Sequence, residues 1–191
     1  NLVKSVEAVS KMKPPLGRMN LLEGINGSLI FDDSYNSSPL AAEAAIEVLS
    51  EYPAKRRIAV LGDMKELGEF SKNEHERVGE TLRVKDIWLL FAVGQEAKFI
   101  AEGARRSGFD SFKIFEFFDS TEAGEAVRNI IQEGDLILVK GSQSARMEKV
   151  VERIMAHPEN KENILVRQEE ERKNRLNLLS YICLNVIRRY R

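Results

Sequence analysis

The sequence predicts an α/β fold: a Rossmann-like, mostly parallel open sheet with helices on both faces. Short runs rich in β-branched and aromatic residues alternate along the chain with longer helical patterns. Strands separated by helices of this length form βαβ units, and such units build parallel sheets. The predicted strands are 28–31, 57–62, 87–94, 113–118 and 135–141, and the predicted helices are about 39–51, 72–84, 95–107, 120–132 and 144–156.

Local signals support these elements in chain order. The first strand is the apolar run "SLIF", and Pro39 then opens an Ala-rich helix. The runs "RIAVLG", "IWLLFAVG" and "DLILVKG" are nearly continuous in apolar residues, as expected for strands buried on both faces. Ser71 is placed to cap the helix that carries His75. We find no internal repeat and no low-complexity segment.

The composition limits the functional classes. The 191 residues include 29 basic and 30 acidic side chains, and a net charge of −1 gives no whole-chain case for a nucleic-acid or membrane partner. A single cysteine, Cys183, excludes an intramolecular disulfide and favours a reducing compartment. With only His75 and His157 present, a zinc cluster of Cys/His spacing is not available. Because no signal peptide or membrane-spanning run is present, we expect a cytoplasmic protein.

Both ends of the chain differ from its centre. Residues 1–12 have helical apolar spacing and stop at Pro14 and Pro15, so residues 1–20 are expected to end a preceding domain and to form a linker. Residues 21–160 are expected to form the main domain. Residues 161–191 are expected to be a helical tail whose basic, amphipathic part packs on protein; membrane binding is the alternative.

Three polar clusters follow predicted strands. "DDSYN" (32–36) follows the first strand, "GDMKELGEFS" (62–71) the second, and "KGSQSARME" (140–148) the last. The carboxyl ends of parallel strands share one edge of the sheet, and ligands bind at that edge in open α/β folds. We therefore expect these sequence-distant clusters to meet around one ligand.

Each cluster also has a structural interpretation, and the residues alone leave both open. In "KGSQS", Lys140, a tight turn at Gly141 and a helix start with Ser142 and Ser144 favour an anion site, but Ser142 or Ser144 could simply cap the helix. The other two clusters could be solvated turns. The chain contains neither a P-loop nor a G-x-G-x-x-G fingerprint, so it carries no recognisable triphosphate cradle.

Taken together, the motifs "DDSYNSSP", "LGDMKELGEFSKNEH" and "KGSQSARME" resemble the carboxy-terminal domain of the Mur ligases, and within that family the ligases that add D-alanyl-D-alanine. "LGRMN" (16–20) resembles the junction with the family's central ATPase domain, and "ILVRQEEE" (164–171) resembles the family's end. The resemblance covers about residues 12–171. Ser38 and Gln143 depart from the family, which tends to have Asn and Arg there.

The resemblance implies an activity for a larger enzyme. ATP would phosphorylate the carboxylate of a UDP-MurNAc-tripeptide, and the amine of D-alanyl-D-alanine would attack the acyl phosphate, as a step in peptidoglycan synthesis. ATP, Mg²⁺ and the UDP-sugar would be bound mainly by domains that this chain lacks, so the chain looks like a fragment and is expected to be inactive alone.

The resemblance also implies roles for residues of this chain. Arg18 and Asp33 would bind the nucleotide, Asp33 through the ribose. The substrate-binding residues would be Tyr35, Asn36, Ser37, Asp63, Met64, Glu66, Leu67, Lys140, Gly141 and Ser142. No catalytic residue and no metal ligand is assigned to this chain.

Three other interpretations remain open. The chain could belong to another Mur-type amino-acid ligase, or it could be a non-catalytic α/β binding module. It could also be a phospho-accepting receiver domain with Asp32 and Asp33 on Mg²⁺, Asp63 as acceptor and Lys140 as counter-ion. One helix separates Asp33 from Asp63, whereas a receiver needs a further strand and helix between them.

Overall fold

The computed structural model describes residues 4–5 and 14–167. The strands are β1 (Asn20–Glu23), β2 (Leu29–Asp33), β3 (Arg56–Gly62), β4 (Leu89–Val93), β5 (Ile114–Phe117) and β6 (Asp135–Lys140). The helices are α1 (Pro39–Glu51), α2 (Ser71–Thr81), α3 (Lys98–Arg106), α4 (Ser120–Ile130), α5 (Glu148–Ile154) and α6 (Lys161–Ile164). Of the predicted domain end and linker (1–20), the structure describes residues 4–5 and 14–20, and of the predicted tail (161–191) it describes residues 161–167; the rest of both segments lies outside the described residues.

The strands form one sheet in the order β1-β2-β6-β3-β4-β5. Strand β1 pairs with β2 in antiparallel orientation, and the other neighbours are parallel. The predicted α/β class with a mostly parallel sheet is therefore confirmed. Strand β6 is last in sequence but lies between β2 and β3, so all three polar clusters follow adjacent strands.

Alternating side chains of the strands build a core on each face of the sheet. On β6, Leu136 and Leu138 pack towards α1, α2 and α3, whereas Ile137 and Val139 pack towards α4 and α5. All six residues of β6 are buried. This explains why the strands read as continuous apolar runs in the sequence.

Strand β1 was not predicted from the sequence, because no strand was expected between residues 20 and 23. It has only four residues, "NLLE", and Leu21 is 46% exposed at the edge of the sheet. Such a short, half-exposed segment has too little apolar periodicity to be recognised. It is fixed by pairing with β2, from Asn20 opposite Asp32 to Glu23 opposite Leu29.

The helix predicted at 144–156 is shorter than expected. Residues Gln143–Ala145 form a 3₁₀ helix, and Arg146 then adopts a left-handed conformation with φ of 52°. A left-handed residue interrupts the backbone hydrogen bonding of a helix, so α5 begins only at Glu148. Likewise, Asp86 is left-handed (φ 53°) after the 3₁₀ helix Arg83–Lys85, and α2 ends at Thr81 rather than 84.

Helices α2 and α3 cross at two glycines. A Cβ atom on Gly79 would lie 2.0 Å from the carbonyl oxygen of Ile100, and one on Gly103 would lie 2.0 Å from that of Glu76. Both positions require glycine because the two helix backbones touch there. The crossing therefore depends on the absence of two side chains.

We predict that Gly103→Ala lowers the free energy of unfolding by about 2 kcal/mol or more, because overpacking outweighs the helix-propensity gain of about 1 kcal/mol. Gly124→Ala is the matched control, since a Cβ at this helical position would meet Arg153 Cγ at 3.0 Å and the Cα of Val150 at 3.2 Å, a much milder approach than 2.0 Å from a carbonyl oxygen. Denaturant titration of both variants measures the difference. Equal effects of the two substitutions would contradict the contact between backbones.

Candidate functional site

The three polar clusters meet at the carboxyl edge of the sheet. Strands β2, β6 and β3 are neighbours, with Asp33 in register with Lys140 and Lys140 in register with Leu61. The helices that follow β2 and β3 pack on one face of the sheet, and the helix that follows β6 packs on the other. A crevice opens where neighbouring strands lead to helices on opposite faces. The fold thus places a binding site at this point.

The site is a cleft of about 660 Å³. Its lining comes from all three clusters and from the two serines that follow the first one: Asn36, Ser37, Ser38, Lys65, Glu66, Leu67, Ser142, Gln143 and Ser144. Eight of the nine lining residues carry a hydroxyl group, an amide or a charge, so the cleft offers many hydrogen-bonding groups to a small polar ligand. Glu66 has a left-handed backbone with φ of 65°, which shapes the wall formed by the loop after β3.

A buried ion pair lies at the carboxyl ends of β2 and β6. The Nζ of Lys140 donates to Asp33 Oδ2 at 2.6 Å and to the carbonyl of Asn36 at 3.0 Å. Lys140 is 3% exposed and Asp33 is 7% exposed. The other oxygen of Asp33 accepts the backbone N–H of Met19 at 3.2 Å. The pair therefore connects β6, β2, the cleft wall and the segment that precedes β1.

Tyr35 contacts two guanidinium groups. The guanidinium carbon of Arg18 is 4.4 Å from the centre of the Tyr35 ring, and that of Arg167 is 5.8 Å from it. The backbone N–H of Tyr35 donates to the carbonyl of Gly17 at 3.0 Å. Both Arg18 and Tyr35 have solvent-accessible side chains. Cation–π contacts of this kind hold the phenol ring beside the cleft.

Asp63 organises the loops after β3 and β4. Its Oδ1 accepts the N–H groups of Glu96 and Ala97 at 2.9 and 2.8 Å, and its Oδ2 accepts Nζ of Lys65 at 2.9 Å. Its carbonyl accepts the N–H of Ser142 at 2.8 Å. Asp63 therefore connects the second cluster to the third and holds Lys65 at the cleft.

His75 connects the loop after β3 to the first residue of α2. Its Nε2 accepts the N–H of Met64 at 2.9 Å, and its Nδ1 lies 2.7 Å from the carbonyl of Ser71. This pattern assigns the proton to Nδ1, because a carbonyl can only accept. His75 is fully buried and Met64 is 1% exposed. Sequence reasoning gave His75 no role, although it lies within the motif "LGDMKELGEFSKNEH".

Asp32 is a buried carboxyl group beside the ion pair. Its Oδ1 accepts the N–H of Ser34 at 3.1 Å, whereas Oδ2 has no hydrogen-bond partner in the described part of the chain. Burial, together with the nearby charges of Asp33 and Glu148, raises the pKa of Asp32 from 3.8 to about 6, against the lowering effect of hydrogen bonds from Ser34.

Among the described residues, no cluster of three or more His, Cys, Asp or Glu side chains is placed to hold a metal ion. The receiver interpretation lacks support. Both oxygens of Asp63 already accept hydrogen bonds within the protein. When the five parallel strands are numbered in chain order, their order in the sheet is 1-5-2-3-4, whereas the flavodoxin-like order is 2-1-3-4-5.

Apart from Gly141, the predicted site residues fall into three groups in the structure. Asn36, Ser37, Glu66, Leu67 and Ser142 line the cleft. The side chains buried behind or beside it are Asp33, Asp63, Met64 and Lys140. Arg18 and Tyr35 form a pair beside Gly17.

The segment 140–144 differs from its predicted local geometry. Gly141 has no positive φ; instead, a Cβ there would lie 2.6 Å from Cγ of Met147, so close packing explains the glycine. Ser142 makes no side-chain capping hydrogen bond, and its hydroxyl lies 3.4 Å from that of Ser144. Because the segment leads into a 3₁₀ helix, the predicted α-helical N-terminus is wrong at this position.

An open, mostly parallel sheet with a polar cleft at its switch point defines a doubly wound α/β ligand-binding domain. Residues 17–143 match the family model described as "Mur ligase, glutamate ligase domain". The chain belongs to the Mur ligase family, as this domain. The family resemblance carried by the three motifs is therefore confirmed.

Curated relatives are UDP-N-acetylmuramoyl-tripeptide–D-alanyl-D-alanine ligases. The Bacillus subtilis protein is 30% identical over 155 residues, which cover 81% of this chain and 34% of the relative. The Escherichia coli protein is 35% identical over 145 residues, 75% of this chain and 30% of the relative. The chain thus spans about a third of the length of the relatives it matches.

Solved structures of the same type share the fold. The MurF ligase from Thermotoga maritima, in complex with ADP, is 32% identical with a TM-score of 0.64, over 80% of this chain and 35% of that one. A MurF structure from Acinetobacter baumannii is 31% identical with a TM-score of 0.68, over 79% of this chain and 33% of that one.

Across residues 4–5 and 14–167, no helix has the length and apolar character needed to cross a membrane.

We predict that ionisation of Asp32 destabilises the fold. The folded pKa is raised, so the contribution of Asp32 to stability is fully present below pH 3.8 and is lost as the pH rises through about 6. At 1.36 kcal/mol per pKa unit, the loss approaches about 3 kcal/mol. The free energy of unfolding of Asp32→Asn should therefore rise relative to wild type between pH 4 and pH 7. A constant difference between the two proteins in denaturant titrations across this range would contradict this origin of the pH dependence.

Proposed function

We propose that the chain is the carboxy-terminal domain of an ATP-dependent ligase that joins D-alanyl-D-alanine to UDP-N-acetylmuramoyl-tripeptide. The observation that carries the proposal is the cleft, because three sequence-distant motifs of this ligase type line one polar cavity of about 660 Å³. The curated relatives carry this activity in their names. ATP and Mg²⁺ are proposed to bind mainly to other domains of the complete, cytoplasmic enzyme.

In the proposed reaction, this domain presents the dipeptide to an acyl phosphate formed from the tripeptide carboxylate and ATP. The dipeptide amine forms the new amide bond, and the carbon–oxygen bond to phosphate breaks. Little chemistry is required of the domain beyond placing the amine and excluding water, which is catalysis by positioning. Tyr35, Asn36 and Ser37 would face the reaction centre, and Asp63, Met64, Glu66 and Leu67 would shape the pocket.

Arg18 and Asp33 are the proposed nucleotide contacts. Arg18 is accessible to solvent, and its guanidinium suits a phosphate oxygen. Asp33 already accepts from Lys140 and Met19, but a carboxylate has about four acceptor positions, so room remains for ribose hydroxyls. Lys140 would hold the Asp33 carboxylate in place for that contact.

Lys140, Gly141 and Ser142 are the proposed contacts to the dipeptide carboxylate. Ser142 supports this directly because it lines the cleft. Lys140 donates two of its three N–H groups to described protein atoms, so one can serve a ligand next to Asn36. This assignment and the alternative, in which Lys140 acts only on Asp33, predict different substrate selectivity.

We predict that the complete ligase converts D-alanyl-D-alanine with ATP and UDP-N-acetylmuramoyl-tripeptide, releasing ADP and phosphate. It should use D-alanyl-D-alanine amide at least about tenfold less well, because a neutral amide oxygen accepts a weaker hydrogen bond from the ammonium of Lys140 than a carboxylate does. Lys140→Ala should remove most of this preference. Any effect of the variant on ATP binding cancels in the ratio of kcat/KM for the two dipeptides.

Lys55→Ala is the control, since Lys55 is exposed and pairs with Glu133 at 3.8 Å, outside the lining of the cleft. Preference for a single amino acid over the dipeptide would favour another Mur-type ligase, and absence of turnover would favour a binding module. An acid-to-amide ratio equal in wild type and Lys140→Ala would restrict Lys140 to the contact with Asp33.

A further inference from the structure

The segment Ser34 to Asn36 is irregular, yet its backbone polar groups are largely paired. Asp32 accepts the N–H of Ser34 at 3.1 Å, and Gly17 accepts the N–H of Tyr35 at 3.0 Å. The carbonyl of Asn36 accepts from Lys140 at 3.0 Å. Buried backbone groups outside helices and strands need such partners, and two of these three, Gly17 and Lys140, come from remote parts of the chain.

Arg167 pairs the two remaining carbonyls of this segment. Its Nη1 donates to the carbonyl of Ser34 at 3.2 Å, and its Nη2 donates to that of Tyr35. Its side chain is 8% exposed although it is charged. A planar guanidinium can reach two successive carbonyls and a carboxylate at once, whereas an ammonium cannot match that geometry.

Glu148 supplies the carboxylate that Arg167 requires. Its Oε2 accepts Nη1 of Arg167 at 2.7 Å, and its Oε1 accepts Nε of Arg146. Glu148 is 1% exposed at the first position of α5. A buried charge is tolerated only when it is paired, so each member of the Glu148–Arg167 pair fixes the other.

We propose that the Glu148–Arg167 pair acts as a clasp that positions residues Ser34–Asn36 for the ligase reaction, which rests on the function proposed above. Both are positioning residues, since they reach the cleft through the backbone of that segment. The side chains of Tyr35 and Asn36 project from the clasped backbone. A displacement of about 1 Å at a reaction centre can cost about a hundredfold in rate, so a loosened segment should lower turnover.

The test compares Arg167→Lys and Glu148→Gln in the complete ligase. Arg167→Lys keeps the charge but loses the forked donation, and Glu148→Gln keeps the size but loses the charge. Arg153→Lys is the matched control, because Arg153 lies on the same helix α5 and pairs with Glu125 at 3.2 Å on the surface. Kinetic constants for ATP and dipeptide are measured well below each melting temperature, together with amide exchange of residues 34–36 and of β3.

We expect both clasp variants to lower kcat/KM for the dipeptide about tenfold or more and to speed amide exchange at residues 34–36 about tenfold, with exchange in β3 unchanged. Arg153→Lys should stay within about twofold of wild type. A lowered melting temperature with unchanged kinetics overturns the proposal, as does faster exchange with unchanged kinetics. If Glu148→Gln does not fold, Arg167→Lys decides alone.

Failure of the proposed function is distinguishable from failure of the clasp. A wild-type ligase that makes no product from D-alanyl-D-alanine refutes the function. The exchange comparison of wild type with Arg167→Lys uses no substrate, so it still shows whether Arg167 orders residues 34–36. Unchanged exchange at those residues would overturn the clasp whatever the substrate is.

Discussion

The buried ion pair between Lys140 and Asp33 is the contact on which the rest of the site depends. It joins the last residues of β6 and β2 at 2.6 Å with almost no solvent access. Lys140 also holds the carbonyl of Asn36, and Asp33 also holds the N–H of Met19. A buried ammonium without this carboxylate would be strongly unfavourable, so the pair fixes the cleft wall and the segment before β1 in one arrangement.

Two further carboxylates extend this organisation to the other parts of the site. Asp63 connects the loops after β3 and β4 to Ser142, and Glu148 connects α5 to the backbone after β2 through Arg167. All three carboxylates sit where a strand or helix begins or ends, and each binds backbone directly or through a cation. The cleft therefore has polar walls that are oriented before a ligand arrives, which is what a domain acting by positioning requires.

Sequence reasoning succeeded where a pattern reports directly on structure. Continuous apolar strands and intervening helices predicted the sheet, and the position of polar clusters after strands predicted the cleft. It failed where tertiary contacts decide: the short strand β1 exists through pairing with β2, and α5 starts late because Arg146 is left-handed. The burial of Lys140 could not be read from "KGSQS", since the partner Asp33 lies 107 residues away. Glu148 lies in the motif "KGSQSARME" and Arg167 in "ILVRQEEE", but the contact between them depends on tertiary packing, which neither motif reports.

A double-mutant cycle on the unfolding free energy tests the central pair most directly. Asp33→Asn, Lys140→Met and the double variant are each unfolded with denaturant at pH 7 and low ionic strength. Each single change should cost about 3–5 kcal/mol because it leaves a buried group without its partner, and the double change should cost clearly less than the sum. A coupling energy of about 2 kcal/mol or more is the expected result. Additive costs would show that the two residues act independently and would contradict a site organised around this ion pair.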